Sequence, residues 1–377
     1  MEIKAPYPAD IRSLTSLRYL AAIWVVLFHW TSYFPGSLLR NAPLVREGFL
    51  GVDFFFVLSG FILCHVYLTR QAEGRLDYWN FVSRRIARIY PMHVLTLIAM
   101  IAFGVIAHRY HLTFAGPWIP DEFFTLGSGE VPREVMAQLL LIHAWGGSDG
   151  LHFNAPSWSI SAELFAYLMF PLFTYGLHRA GKRPAVVLAG VILFILLYSL
   201  ALEKVAHREV FEMTWNIGVL RIIPDFLFGV ALYRVGTSWS AGRSRSALLL
   251  LAGVAAVLAG VVLELPFCLV VLGLGLVILA CADAERCGLL APMKTEFAVL
   301  LGEVSYSVYM LHFPFGIALF GLVLKDHLDV GLAGEIGLLA AGMAGVTLLA
   351  WAAHRWFEIP LRNRLNAGAS SVMARWQ

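Results

Sequence analysis

The stretch LRYLAAIWVVLFHW, Leu17 to Trp30, decides how this chain is read. It is apolar enough for the middle of a bilayer, yet it holds an arginine near its start, Arg18, and a histidine near its end, His29. At about 100° per residue their spacing returns nearly to one helix face, and a rise of about 1.5 Å per residue sets them roughly 16 Å apart. One face thus presents a cation near one membrane edge and an imidazole deeper in. Ionisable groups inside a span are costly and tend to mark a pathway or a site. The plainer alternative is that Arg18 snorkels to lipid headgroups and His29 is a satisfied structural histidine.

The rest of the 377 residues continues the pattern. The chain is 59% hydrophobic and 14% charged, with a mean hydropathy of +0.73. Soluble domains carry about a quarter charged residues. Here the deficit runs along the whole chain, which predicts a polytopic membrane protein, an all-α transmembrane helical bundle. MEIKAPYPADIRS offers no small-residue cleavage site after a short apolar core, so the first apolar segment is expected to remain as a helix. A net charge of +3 without a basic run gives no sign of a nucleic-acid partner. The four cysteines form no CxxC pair and read as buried thiols, with no disulfide framework and no metal site.

A span needs roughly 20 apolar residues, and about ten segments meet that need: 14–34, 48–69, 89–108, 157–178, 184–202, 217–235, 246–264, 266–283, 298–323 and 332–356. An eleventh stretch, Val135–Trp145, is too short to cross comfortably and reads as re-entrant or interfacial. With both termini cytoplasmic, most of the 28 Lys and Arg fall on the inner side, as the positive-inside rule asks. This gives one transmembrane domain over 1–365 and a short cytoplasmic tail, 366–377. The long outer segment from His108 to Pro156 reads as a lid. Within it His108, His111, His143 and His152 with Asp121 and Asp149 match no standard zinc spacing.

Further polar residues punctuate the spans. Asp53 in GVDFFFVLSGF is expected level with His29, where a carboxylate fixes an imidazole tautomer. A helix-start carboxylate favoured by the dipole is the bland reading. In SRRIARIYP, Arg84 and Arg88 are one turn apart, and with Arg85 they could clamp phosphates in bidentate fashion. Positive-inside topology draws the same residues to such a position. In PSWSISAEL, Ser159 and Glu163 share a face, and Glu163 could orient an acceptor hydroxyl or support His29. Tyr306, Tyr309 and His312 fall at steps of three on another helix, where an aromatic stripe is more often packing. Glu358 reads as the partner of a nearby arginine.

Six motifs in this order resemble the acyltransferase family 3 of integral membrane O-acyltransferases. They are Arg18-x10-His29, VDFFFVLSGF, RRIARIYP, SWSISAE, RIIPDFLFG and GEVSYSVYMLHFP. The resemblance spans nearly the whole chain and implies a ten-helix fold. It implies transfer of an acyl group, often acetyl, from cytoplasmic acyl-CoA to hydroxyls of sugars, glycolipids or related acceptors at a bacterial inner membrane. By resemblance His29 is the essential histidine, Arg18 its paired arginine, Arg84, Arg85 and Arg88 the CoA-side cluster, and Ser159 and Glu163 the Ser-x3-Glu pair. His29 is then expected to act as general base with Asp53 or Glu163 orienting it. Trp158, Ser159, Arg221, Tyr309 and His312 are expected at the substrate. Acetyl-CoA is the expected co-substrate, without a metal, and no room is left for the soluble hydrolase-like domain many relatives carry. The rival class is a secondary transporter of a small anionic or sugar-like solute. No inverted repeat with broken helices supports it.

Overall fold

In lipid the backbone must satisfy its own hydrogen bonds, so long apolar runs form helices. The computed structural model describes residues 7–116, 131–148, 150–180, 183–206 and 210–373, with no strand among the described residues. The helices are α1 (Arg12–Trp30), α2 (Leu38–Asn41), α3 (Pro43–Arg46), α4 (Leu50–Ala72), α5 (Tyr78–Tyr110), α6 (Val131–Leu139) and α7 (Trp158–Ala180). They continue as α8 (Pro184–Ala201), α9 (Gly218–Ser238), α10 (Arg243–Val262), α11 (Phe267–Arg286), α12 (Glu296–Gly316), α13 (Leu332–Ala353) and α14 (Ile359–Met373).

Among the described residues, 8 helical segments are long and apolar enough to cross a membrane. They contain α4, α5, α7, α8, α10, α11, α12 and α13. Helices α1 and α9, of 19 and 21 residues, are also long enough to span. Their apolar character is interrupted by the very residues that caught attention in the sequence, Arg18 and His29 in one and Arg221 and Asp225 in the other. Both helices lie inside the bundle. α9 packs against α4 and α1 against α12. Helices α8, α10 and α13 leave most of their apolar side chains outward, where lipid would cover them.

Close helix approach at the centre depends on small residues, as in other membrane bundles. A β-carbon at Gly60 of α4 would strike the carbonyl oxygen of Phe226, and one at Gly229 of α9 would strike that of Val57. The two glycines thus let the same pair of backbones touch from both sides.

One boundary differs from that expected. The third span was placed at 89–108, but α5 begins at Tyr78, capped by Asp77, whose side chain accepts from the Asn80 amide. The RRIAR residues are therefore part of a helix 33 residues long, roughly 50 Å by helical rise, rather than a lead-in to it. Val135–Trp145 falls partly in α6, whose 9 residues do not cross. The stretch after it is tied to α7: Ala144 donates to the Ser161 hydroxyl at 3.1 Å and the Trp145 indole to the Ser161 carbonyl at 2.9 Å. The tail expected from 366 remains helical to Met373. Asp121 and Asp149 lie outside the described residues.

Candidate active site

Two cavities lie inside the bundle. The first, partly open to solvent, spans about 830 Å³ and is lined by Arg18, Arg85 and Arg88 together with Ser59, Ser159, Glu163, Tyr167 and Tyr306. We call it the arginine chamber. The second, also partly open, spans about 1630 Å³, with His29, Trp158 and Arg221 in its lining. We call it the histidine chamber. Val52 and Tyr309 line both.

The arginine chamber draws its cations from two helices. Arg18 comes from α1, and Arg85 and Arg88 from adjacent positions on one face of α5. Arg88 donates to Glu358 at 2.5 Å and lies 5.6 Å from the Tyr306 ring centre. Glu358 also accepts from the Ser307 hydroxyl at 2.8 Å and bonds His354 at 2.8 Å, so its expected pairing with an arginine is what the structure holds. Arg85 is stacked between Tyr67 and Tyr167, at 5.6 and 5.9 Å. Its Nε is buried without a hydrogen-bond partner. A buried guanidinium donor facing a cavity is a natural contact for an anion. Glu163 accepts from Ser59 at 2.5 Å and from Tyr167 at 2.6 Å. Arg84 departs from expectation. It is exposed, donates to the Asn80 side-chain oxygen at 2.9 Å and lines a different recess. On a helix both i,i+3 and i,i+4 neighbours share a face, and here the face with Arg88 is completed by Arg85.

In the histidine chamber the geometry fixes a tautomer. His312, fully buried on α12, has Nδ1 at 2.5 Å from the Tyr309 carbonyl oxygen. A carbonyl only accepts, so this nitrogen carries the proton and Nε2 carries the lone pair. That Nε2 is 3.2 Å from Nδ1 of His29, which is also 2.9 Å from the Val25 carbonyl oxygen. Both neighbours are acceptors, so His29 Nδ1 bears the proton and the lone pair sits on His29 Nε2. The rings of Phe28 and Phe313 meet the imidazole edge-on, at 5.0 and 6.1 Å. An oriented, half-buried imidazole with its basic nitrogen defined is suited to take a proton from a hydroxyl.

The carboxylates expected to orient His29 have other partners. Asp53 takes a bidentate contact from Arg221, Nε to Oδ1 at 2.8 Å and Nη2 to Oδ2 at 2.7 Å, with both side chains almost wholly buried. Glu163 belongs to the arginine chamber. The group bonded to His29 Nδ1 is His312, which was expected at the substrate. Arg221, likewise expected there, is engaged with Asp53 and ringed by Trp158, Phe49 and Phe267 at 5.2, 5.8 and 5.6 Å. Ser159 bonds the Tyr309 hydroxyl at 2.7 Å where the two chambers meet. His143, considered with other histidines for a metal, bonds Ser157 at 3.2 Å and stacks on His93. Sequence reasoning passed over Tyr67, Tyr167 and Val52, and read Ser59 as a helix-packing residue. It also passed over Arg46, which bridges Glu47 and Glu264 beside the histidine chamber at 3.1 and 2.8 Å. A serine or tyrosine in an apolar run carries no signal beyond packing.

Long apolar helices around polar cavities, one lined by arginines and one by His29, define a class of protein, an integral membrane protein with a polar site in its interior. The family profile described as "Acyltransferase domain" matches residues 11–355. Acyltransferase MdmB of Streptomyces mycarofaciens is 29% identical over 367 residues, covering 92% of this chain and 88% of that protein. Protein 2 in picA locus of Rhizobium radiobacter is 30% identical over 179 residues, 47% of this chain and 87% of that one. O-acetyltransferase OatA of Staphylococcus aureus is 28% identical over 211 residues, 53% of this chain and 30% of that longer protein. No solved structure matches. The chain belongs to the acyltransferase 3 family and is an integral membrane O-acyltransferase.

Proposed function

We propose that the protein moves an acetyl group from cytoplasmic acetyl-CoA to a hydroxyl of a carbohydrate, glycolipid or related acceptor. On this reading it sits in a bacterial inner membrane with ten crossings and both termini cytoplasmic. The observation that carries the reading is the pair of chambers sharing Val52 and Tyr309, arginines in one and His29 in the other. The name O-acetyltransferase borne by one relative supports acetyl as the group moved.

The arginine chamber faces the cytoplasm and grips the donor phosphates through Arg18, Arg85 and Arg88. The pantetheine arm passes between Val52 and Tyr309, which brings the thioester to His29. His29 Nε2 takes the acceptor hydroxyl proton as that oxygen attacks the thioester carbonyl. The tetrahedral adduct collapses, the C–S bond breaks, and the leaving thiolate receives the proton from His29. The products are the O-acyl ester and free CoA. His312 and the Val25 carbonyl hold the second ring nitrogen throughout, so the imidazolium forms without turning. Trp158, Ser159 and Tyr309 shape the acceptor's approach.

Two measurements test the pathway. Arg85→Ala should raise the donor KM by about 10- to 100-fold with little change in kcat, the range of a lost charge-assisted hydrogen bond. An unchanged KM would remove Arg85 from the donor site. Val52→Trp should abolish transfer while CoA still binds, measured by equilibrium binding to the purified protein; Val52→Ala should transfer normally. Full transfer by Val52→Trp would mean that the thioester takes another route. Incubation with labelled acetyl-CoA alone distinguishes direct transfer from an acyl-histidine intermediate, since only the latter leaves label on the protein.

A further inference from the structure

Helix α12 carries a proline, Pro314, just past His312. Proline has no amide hydrogen, and its ring crowds the carbonyl four residues back. In α12 that carbonyl belongs to Met310. The turn that holds His312 therefore lacks one of the donors a regular helix would supply. A side chain provides one instead. Asn154, at the entry to α7, donates from Nδ2 to the Met310 carbonyl oxygen at 3.0 Å, across 156 residues of sequence.

Chemistry fixes which way this amide points. Its second contact is Thr96 Oγ1 of α5, also at 3.0 Å. The Thr96 hydroxyl gives its one proton to its own helix, at the carbonyls of Met92 and His93, so toward Asn154 it can only accept. Both neighbours are acceptors, and the NH2 group faces them. The other end of the amide is unused. Asn154 is 2% exposed, and its Oδ1 is buried with no hydrogen-bond partner. An unpaired buried oxygen costs stability. The position thus keeps an asparagine for its two donors.

The backbone around Asn154 aims it. Phe153 is held in the left-handed region, at φ 57°, which a bulky residue rarely adopts. It shares an apolar cluster with Phe313. The Ser157 amide closes a turn onto the Asn154 carbonyl at 2.8 Å, and Pro156 in that turn accepts from the Tyr309 hydroxyl at 2.9 Å. From the opposite side the indole of Trp30, the neighbour of His29, donates to the His312 carbonyl at 2.9 Å. The broken turn of α12 is thus gripped from α1 and from the entry to α7. The Tyr309 carbonyl that sets the His312 tautomer lies in the same turn.

We propose that Asn154 is a positioning residue: it stands in for the amide that Pro314 lacks, sets the turn of α12 that carries His312, and through His312 orients His29. It lines neither chamber. This rests on the reading that His29 is the base.

Asn154→Leu keeps the size of the side chain and removes both donors. Membrane vesicles from cells that carry each variant in place of the native chain supply the acceptor, and labelled acetyl-CoA is the donor. Rates are counted per CoA-binding site in the same vesicles, so a poorly folded fraction cancels. In Asn154→Leu kcat should fall by about 10- to 100-fold, the range for a catalytic group displaced by about 1 Å. The KM for acetyl-CoA should stay within about twofold. Thr96→Val removes the other contact alone and should transfer at the wild-type rate. If Asn154 merely joined α5 to α7, the two variants would be equally slow. Equal rates in the two, normal transfer by Asn154→Leu, or a loss that falls on KM overturns the proposal. Pro314→Ala returns an amide to Met310, so in that background Asn154→Leu should cost no more than about threefold. The full cost in both backgrounds also overturns it. If Pro314→Ala does not assemble, the leucine and valine variants decide between them. Wild-type transfer by His29→Ala is a different failure, that of the base reading.

Discussion

His29→Ala should lower acyl transfer by about 10²- to 10⁴-fold, the usual contribution of a positioned general base. The loss should appear in kcat, while CoA binding measured on the same preparation stays within about twofold, because His29 lines the other chamber. His29→Gln is the sharper companion. It preserves a hydrogen-bonding side chain beside His312 and Val25 but has no nitrogen that can take a proton at neutral pH. If the defect is chemical, glutamine should be as inactive as alanine; if the residue only shapes the cavity, glutamine should recover much of the rate. His312→Ala should reduce kcat as well, since the His29 ring would lose one of its two fixing acceptors. Wild-type rates in either His29 variant would end the base assignment.

Arg221→Met should be the most damaging change to stability, lowering it by about 3–5 kcal/mol, as expected when one partner of a buried ion pair is removed. Asp53 is wholly buried and bonded to Arg221 through both oxygens. Asp225 adds to the cost, because one of its oxygens is already buried with no hydrogen-bond partner. Without the guanidinium, the Asp53 carboxylate faces an apolar interior. Arg221→Met/Asp53→Asn should recover most of the loss by removing that charge. Thermal unfolding in detergent, read by tryptophan fluorescence, separates the cases. Equal melting of the single and double variants would show that the pair contributes by shape rather than by charge. Because Arg221 also lines the histidine chamber, activity alone would not separate its two roles.

The parts of the site legible in the sequence are those whose evidence is local. The spacing of Arg18 and His29 predicts one face, and the two residues do line adjoining chambers. Ser159 and Glu163, one turn apart, both line the arginine chamber. Helical periodicity is coarse, however. It could not say whether Arg84 or Arg85 turns inward with Arg88, because three-residue and four-residue steps straddle the same face. Pairings across the chain were beyond reach. Asp53 meets Arg221 across 168 residues, and imidazole–carboxylate chemistry suggested His29 for it instead. The all-helical, membrane-spanning character was legible because hydropathy accumulates over a whole helix, yet the start of α5 was misplaced because its first turns are polar and extend beyond the apolar run.

The contact between His29 and His312 joins positions 283 residues apart. A membrane protein is threaded into the bilayer from its first helix onward, so the reactive ring is in place long before its orienting neighbour has been synthesised. An unfinished chain holds the base with no fixed proton arrangement and no complete path to it. On the proposed reading, the pair is therefore complete only near the end of the chain's own assembly.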